Sequence, residues 1–342
     1  MAKTRVAIVG LGMAVTPHAK SYLDLADRAE VAYAFSPSEG RRRSFAERFD
    51  FPHCESLATI LGDPSVDAVT VLTPPNTHFD IATACARAGK HVLLEKPLEV
   101  STERAEHLVT ACRDAGVRLG VVLQHRFRPP GIRLKEMIEE GRFGPLVGAT
   151  VSVLNWRPQA YYDEPGRGTL ARDGGGVLLT QGIHSLDLFL SLTGQPDTVF
   201  AYADTSPVHD METEDIVAAS LKFDNGAIGT LEATTTAYPG FPEVIRLTFA
   251  DATATVTGAG LDVQFHDGTS EGIEPDPNVG GTGADPMDFP HDQHLALITD
   301  FLDAIDESRD PAVTGEEALK VHRLIDALLT SAAENRPVAV PG

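Results

Sequence analysis

Two residues of this chain combine the right type with an unusual setting for proton chemistry. Lys96 stands between Glu95 and Pro97, directly after the apolar run Val92–Leu94. A lysine is rarely buried without a partner, and in an open α/β sheet ligands bind at the carboxyl ends of the strands. A partly desolvated ammonium loses some of its preference for the charged form, which brings it closer to useful proton transfer. Pro97 fixes the backbone that follows. The competing reading is a structural lysine paired with Glu95.

His184 lies in GGGVLLTQGIHSLDLFLSLTG, Gly174–Gly194. Thr180, His184, Asp187 and Ser191 recur at helical spacing, so Thr180 and His184 share a face. Leu186, Phe189 and Leu190 cover another face and pack inward. Histidine titrates near neutral pH and can exchange a proton with a substrate oxygen. Asp187, one turn on, can orient it, and Gln181 offers an amide. The glycines allow close backbone approach. A histidine satisfied within a core helix is the plainer alternative.

A third group of polar residues surrounds a change of texture in the chain. Gln124, His125 and Arg126 stand where the first pattern of elements stops, as candidate ligand contacts at a domain border. Trp156, Arg157, Tyr161, Tyr162, Arg167 and Arg172 cluster in the following loop. Aromatics stack on sugar faces, and arginines bind carboxylate or phosphate in bidentate fashion. A polar surface loop is the alternative. His291 and His294 lack an accompanying carboxylate or cysteine grouping, so no metal site is expected.

The elements that must position these residues follow from periodicity. Up to Leu123, short β-like runs alternate with helical ones: Arg5–Val9, Pro17–Ala29, Val31–Phe35, Arg41–Phe49, Ala68–Leu72, a helix capped by Asn76, His91–Leu94, Ser101–Ala115 and Arg118–Leu123. Repeated βα units imply a doubly wound parallel sheet. After a short helix at Gly131–Glu140, β-rich stretches dominate: Leu146–Trp156, Thr198–Ala203, Ile216–Phe223, Ala227–Thr236, Val244–Ala250 and Thr253–Phe265. Their short turns predict a largely antiparallel sheet, with one helix at Ile183–Leu192. Glu271–Pro290 reads as a loop, and helices at His294–Glu307 and Glu316–Glu334 close the chain. We therefore expect two domains, 1–124 and 125–342.

Gly10-Leu11-Gly12, followed by Met13, ends the first strand. A tight turn there lets the backbone approach a pyrophosphate at a helix N-terminus. Val15 holds the third glycine position of G-x-G-x-x-G, so the match is partial. The second strand ends at Ser36, with Arg41 close behind, where an NAD enzyme usually places an acid. A hydroxyl with guanidinium groups suits a 2′-phosphate, so NADP(H) is expected over NAD(H); a solvated helix face for Arg41–Arg43 and Glu39 as the ribose acceptor are the alternatives. Thr73-Pro74-Pro75-Asn76-Thr77-His78 forms a rigid loop at the same edge, able to line the nicotinamide ribose.

Composition narrows the classes. The 342 residues carry a net charge of −21, which argues against nucleic acid. No apolar run reaches the roughly 20 residues of a membrane helix. A strand begins almost at once, so we expect no leader and a cytoplasmic protein. Cys54, Cys85 and Cys112 lack zinc-site spacing and read as packing residues.

Taken together, VGLG, PPNTH, LLEKPL, the glycine-rich run to His-x-x-Asp, and the closing helices resemble the Gfo/Idh/MocA oxidoreductases. The resemblance implies an NAD(P)-binding Rossmann domain followed by an α+β domain with an open, largely antiparallel sheet. It implies hydride transfer between nicotinamide and a hydroxyl or carbonyl of a sugar, nucleotide sugar or cyclitol. It places the motif lysine at Lys96 and the motif histidine at His184. Gly10, Gly12, Met13, Ser36, Arg41, Thr73, Pro74, Asn76, His78, Glu95, Lys96 and Gln124 then face the cofactor. Arg126, Arg157, Tyr161, Tyr162, Arg172, Thr180, Gln181 and His184 face the substrate. Many members carry aspartate where this chain has Thr180, so no carboxylate is available there. An aromatic-diol dehydrogenase and a dinucleotide sensor without turnover are the alternatives. The open sheet suggests a homodimer or homotetramer.

Overall fold

The structure, a computed structural model, describes residues 3–275 and 290–342. The chain divides into two compact units, Met1–Gln124 with Pro290–Leu319, and His125–Phe289 with Lys320–Gly342. The segment from Pro290 to Leu319 thus belongs with the first unit, not with the C-terminal domain where the sequence pattern put it. Arg28 accounts for part of this, since it bonds Asp303 and Asp306 across the chain at 2.6 and 2.9 Å.

The first unit is built on β1 (Thr4–Val9), α1 (Val15–Asp24), β2 (Ala29–Phe35), α2 (Glu39–Ala46), α3 (Leu57–Gly62), β3 (Ala68–Val71), α4 (His78–Arg87), β4 (His91–Leu94), α5 (Thr102–Asp114) and β5 (Leu119–Val121). The strands pair in parallel in the order β2-β1-β3-β4-β5. The chain winds outward from β1 in both directions, which opens a crevice at the carboxyl ends of β1 and β3. Strands β3 and β5 are buried throughout, as the apolar runs require when helices cover both faces. Ser101 caps α5 by accepting from the Arg104 N–H. Asn76 does not cap α4: a 3₁₀ turn, Pro75–Thr77, leads into it without a side-chain cap bond.

The second unit contains α6 (Pro129–Glu139), β6 (Leu146–Leu154), the one-turn helices α7 (Gln159–Tyr162) and α8 (Leu170–Asp173), α9 (Ile183–Thr193), β7 (Thr198–Asp204), β8 (Ile216–Lys222), β9 (Ile228–Thr234), β10 (Val244–Phe249), β11 (Ala252–Thr257), β12 (Gly260–Phe265) and β13 (Ser270–Ile273). After it come α10 (Asp292–Asp306) in the first unit, α11 (Gly315–Glu334) and the short β14 (Val338–Ala339). A nine-stranded sheet runs in the order β13-β12-β11-β10-β6-β9-β8-β7-β14. All its pairs are antiparallel except β6 with β9. The single stretch expected over Thr253–Phe265 is two strands, because Gly258 at φ +55° turns the chain back. Of the loop expected over Glu271–Pro290, the first residues form β13, and 276–289 lie outside the described residues.

Alternation along β7–β9 buries one face and leaves the other open. Ala201, Val217, Leu221, Leu231 and Ala233 are buried. Tyr202, Ile216 and Ile228 are among the exposed apolar side chains on the far face. All three cysteines are buried and unbridged.

Candidate active site

In the first unit the site is assembled at the carboxyl edge of the parallel sheet. Gly10 has φ +106°, and a Cβ there would lie 2.6 Å from the Leu72 carbonyl group. Only glycine permits β1 to turn this close to the end of β3. At Gly12 a Cβ would meet nothing within 4 Å, so the backbone is open on that side. A cleft of about 330 Å³ lies beside the turn, lined in part by Gly12, Ser38, Gly40, Arg41, Ser44 and Arg48. Ser38 caps α2 through the Arg41 N–H, which aims that helix's first turn at the cleft. Ser36 is placed differently from expectation. Its side chain is buried, its Oγ accepts from the Ser38 N–H, and Arg42 bonds its carbonyl. The exposed hydroxyl and guanidinium groups beside the cleft belong to residues 38–48 instead.

Lys96 follows β4 and is half-buried. The Lys96–Pro97 peptide is cis. Glu95 turns its carboxylate inward: Oε2 accepts from the Lys96 backbone N–H at 2.9 Å, and Oε1 lies 3.2 Å from His18 Nε2. Burial alone would raise the Glu95 pKa, but the His18 bond and nearby positive charge hold it below the usual carboxylate value. His78 is buried rather than open to a ligand. Its ring nitrogens lie 2.8 Å from the Thr73 carbonyl and 2.9 Å from that of Pro97. It therefore ties the Thr73 loop to the turn after Lys96, and burial lowers its pKa. Thr73 is half-buried and accepts from the Thr77 hydroxyl, while Pro74, Asn76 and Met13 are exposed. Gln124 keeps a buried Oε1 without a hydrogen-bond partner.

In the second unit His184 is one of three α9 residues that are not fully buried. The run before it is not regular α-helix. Leu178–Gly182 forms a π-turn, a feature frequent at functional sites, so Thr180 and His184 do not keep simple helical spacing. Thr180 donates to the Gly176 carbonyl at 2.6 Å and to Gln181 Oε1. His125 stacks on His184 with ring centroids 5.0 Å apart. Asp187, expected to orient His184, gives both oxygens to Arg126. Arg126 is thereby a structural partner, not an open substrate contact.

The glycine run is shaped by a residue that sequence reasoning missed. Glu214 accepts from the Gly176 and Leu178 N–H groups at 3.0 and 3.2 Å. A Cβ on Gly176 would strike the Glu214 carbonyl at 1.8 Å. Burial raises the Glu214 pKa. His18 and His294 were also missed as neighbours of Glu95, because nothing in the local sequence links residues so far apart.

In the aromatic loop, Tyr161 lies under Arg167 (4.3 Å) and Arg157 (5.7 Å). Tyr162 points into the fold instead: it is buried, donates to Thr235 Oγ1 at 2.9 Å, and its pKa is pushed up to about 12 by burial. Arg172 is half-buried and donates to the Pro165 carbonyl.

Comparison with known proteins places this geometry in context. Residues 4–123 match the "Oxidoreductase family, NAD-binding Rossmann fold" profile of GFO/IDH/MocA proteins. Residues 132–259 match a GFO/IDH/MocA C-terminal domain, and 285–340 the family's C-terminal alpha/beta domain. A 1,5-anhydro-D-fructose reductase of Ensifer adhaerens is 30% identical, with 85% of each chain covered. A myo-inositol 2-dehydrogenase of Thermotoga maritima is 28% identical over 98% of each. The WlbA dehydrogenase of Bordetella pertussis, solved with NADH and UDP-GlcNAcA, is 29% identical with a TM-score of 0.86, covering 100% of this chain and 99% of that one.

Proposed function

Because the chain belongs to the Gfo/Idh/MocA oxidoreductase family, we propose that it is an NAD(P)-dependent dehydrogenase acting on a CH–OH group of a sugar, cyclitol or nucleotide-linked sugar. The observation that carries this is the half-buried Lys96 at the carboxyl edge of the parallel sheet, two strands away from the glycine turn that ends β1. Bound nicotinamide supplies the hydride acceptor. Gly10 and Gly12 admit its pyrophosphate, and Thr73 and Gln124 line the nicotinamide side. The Lys96 amine takes the hydroxyl proton as the carbinol carbon is oxidised, and returns it in reduction. His184, in the second unit, is the residue there suited to donate to a substrate oxygen and steady its developing charge. Thr180 and Gln181 hold neighbouring hydroxyls.

NADP(H) is the preferred cofactor in this reading. Ser38, Ser44, Arg41 and Arg48 beside the cleft suit a 2′-phosphate, and no acid ends β2. The cation-flanked Tyr161 and the half-buried Arg157 and Arg172 favour an anionic or nucleotide-linked sugar. The exposed face around Tyr202 and Ile228 pairs two copies, giving a homodimer or a homotetramer built as a dimer of dimers; light scattering at a monomer mass would refute this. No described helix is long and apolar enough to cross a membrane. Assaying a panel of polyols, hexoses and UDP-linked uronic acids by the absorbance of reduced nicotinamide tests the activity. Cofactor binding with no turnover on any of them would sink it.

A further inference from the structure

Behind Lys96 lies a buried cluster that the reaction as derived does not use. His18 on α1, Glu95 after β4 and His294 on α10 bring one ligand-type atom each within 4.8 Å of one another, all three buried or nearly so. A carboxylate oxygen only accepts, so His18 Nε2 carries the proton of the 3.2 Å contact with Glu95 Oε1. The other oxygen holds the Lys96 backbone N–H. Both Glu95 oxygens are therefore already engaged by N–H groups. His294 meets the His18 ring edge-on, with centroids 5.0 Å apart. Its pKa is pushed down to about 3, by burial first and by His18 second, so it stays uncharged at working pH.

We propose that Glu95, anchored by His18, is a positioning residue that sets both the backbone and the electrostatic field of Lys96. The proposal rests on the reading of Lys96 as the proton-transferring group. His18 fixes the carboxylate on one side, and the carboxylate fixes the first peptide of the Lys96–Pro97 turn on the other. A buried negative charge one residue from the amine also favours its protonated form, so it sets where the rate responds to pH. The groups facing Glu95 are His18 from α1, Lys96 from its own turn, His294 from α10 and, through charge, His78 from α4. The cluster has the composition of a site for a cation such as zinc, but the two N–H groups on Glu95 favour the positioning role.

The test compares Glu95→Gln, His18→Gln, His18→Ala and Lys96→Ala. Glu95→Gln keeps the shape and removes the charge. It should lower kcat about 10–100-fold, leave cofactor affinity within about threefold, and shift the acid limb of the kcat–pH profile to lower pH. His18→Gln retains an amide donor and should recover most of the kcat that His18→Ala loses. Thermal unfolding separates a folded variant from an unfolded one. A Glu95→Gln enzyme with parental kcat and an unmoved pH limb, beside an inactive Lys96→Ala, overturns this proposal alone. Full activity in Lys96→Ala overturns the reading of Lys96 as the proton-transferring group as well. Stoichiometric cobalt(II) absorption bands in the parent that vanish in Glu95→Gln would show a metal site and overturn the positioning role.

Discussion

Arg126 and Asp187 face each other through two hydrogen bonds, Nε to Oδ2 at 2.7 Å and Nη2 to Oδ1 at 2.6 Å, with the carboxylate wholly buried. This fork is the strong form of an ion pair. It ties the stretch after Gln124 to α9, one turn beyond His184. Removing one partner leaves a buried charge uncompensated, so Asp187→Asn should cost about 3–5 kcal/mol of stability. Denaturant unfolding measures this. Replacing both with apolar residues, Arg126→Met with Asp187→Leu, should recover much of the loss. A single variant as stable as the parent would show that the pair contributes nothing.

Gly10 is held at φ +106°, where an added Cβ would press on the Leu72 carbonyl group at 2.6 Å. Gly10→Ala should lower stability by about 2 kcal/mol or more, since both the dihedral and the contact are unfavourable. Cofactor affinity, followed by the quenching of protein fluorescence, should fall with it. Gly12→Ala has room and should keep stability while still weakening cofactor binding.

His294 gives the fold a pH dependence of definite sign. Burial pushes its pKa down to about 3 from the ordinary 6.5. The unfolded chain then binds a proton that the fold refuses. Stability is full above about pH 6.5 and is lost as pH falls toward 3, by about 2 kcal/mol at pH 5 from this group alone. Unfolding curves at pH 7 and pH 5 for the parent and His294→Gln measure it. The variant should lose less on acidification; equal losses would contradict the assignment.

Cofactor preference falls on the first turn of α2. Arg41→Ala should raise KM for NADP about tenfold and change KM for NAD by less than about twofold. Equal effects on the two would mean that Arg41 does not meet the 2′-phosphate.

Local patterns made the elements legible and left the cross-chain partnerships hidden. The apolar runs ending at Val9, Leu72, Leu94 and Leu123 were readable as buried parallel strands, each within two residues of the strand end in the fold, and Gly10 as the turn after the first. β-rich composition between short turns revealed β7 to β10. The split of β11 from β12 was missed although Gly258, at positive φ, and Gly260 mark the turn between them. Lys96 and His184 stood out by type and motif. The partners of Glu95, Asp187 and Tyr162 did not, since a side chain's direction depends on packing that spacing alone does not encode. Ser36 illustrates this: its type suited a ribose contact, but strand geometry turns it inward.

The central claim is that the Lys96 amine moves the substrate proton during hydride transfer. It is tested most directly by the single-turnover rate of nicotinamide reduction in Lys96→Ala, with cofactor and the best substrate of the sugar panel both saturating. The account predicts a rate about 10²–10⁴-fold below the parent, with cofactor affinity within a few-fold. A rate within about twofold of the parent would contradict it.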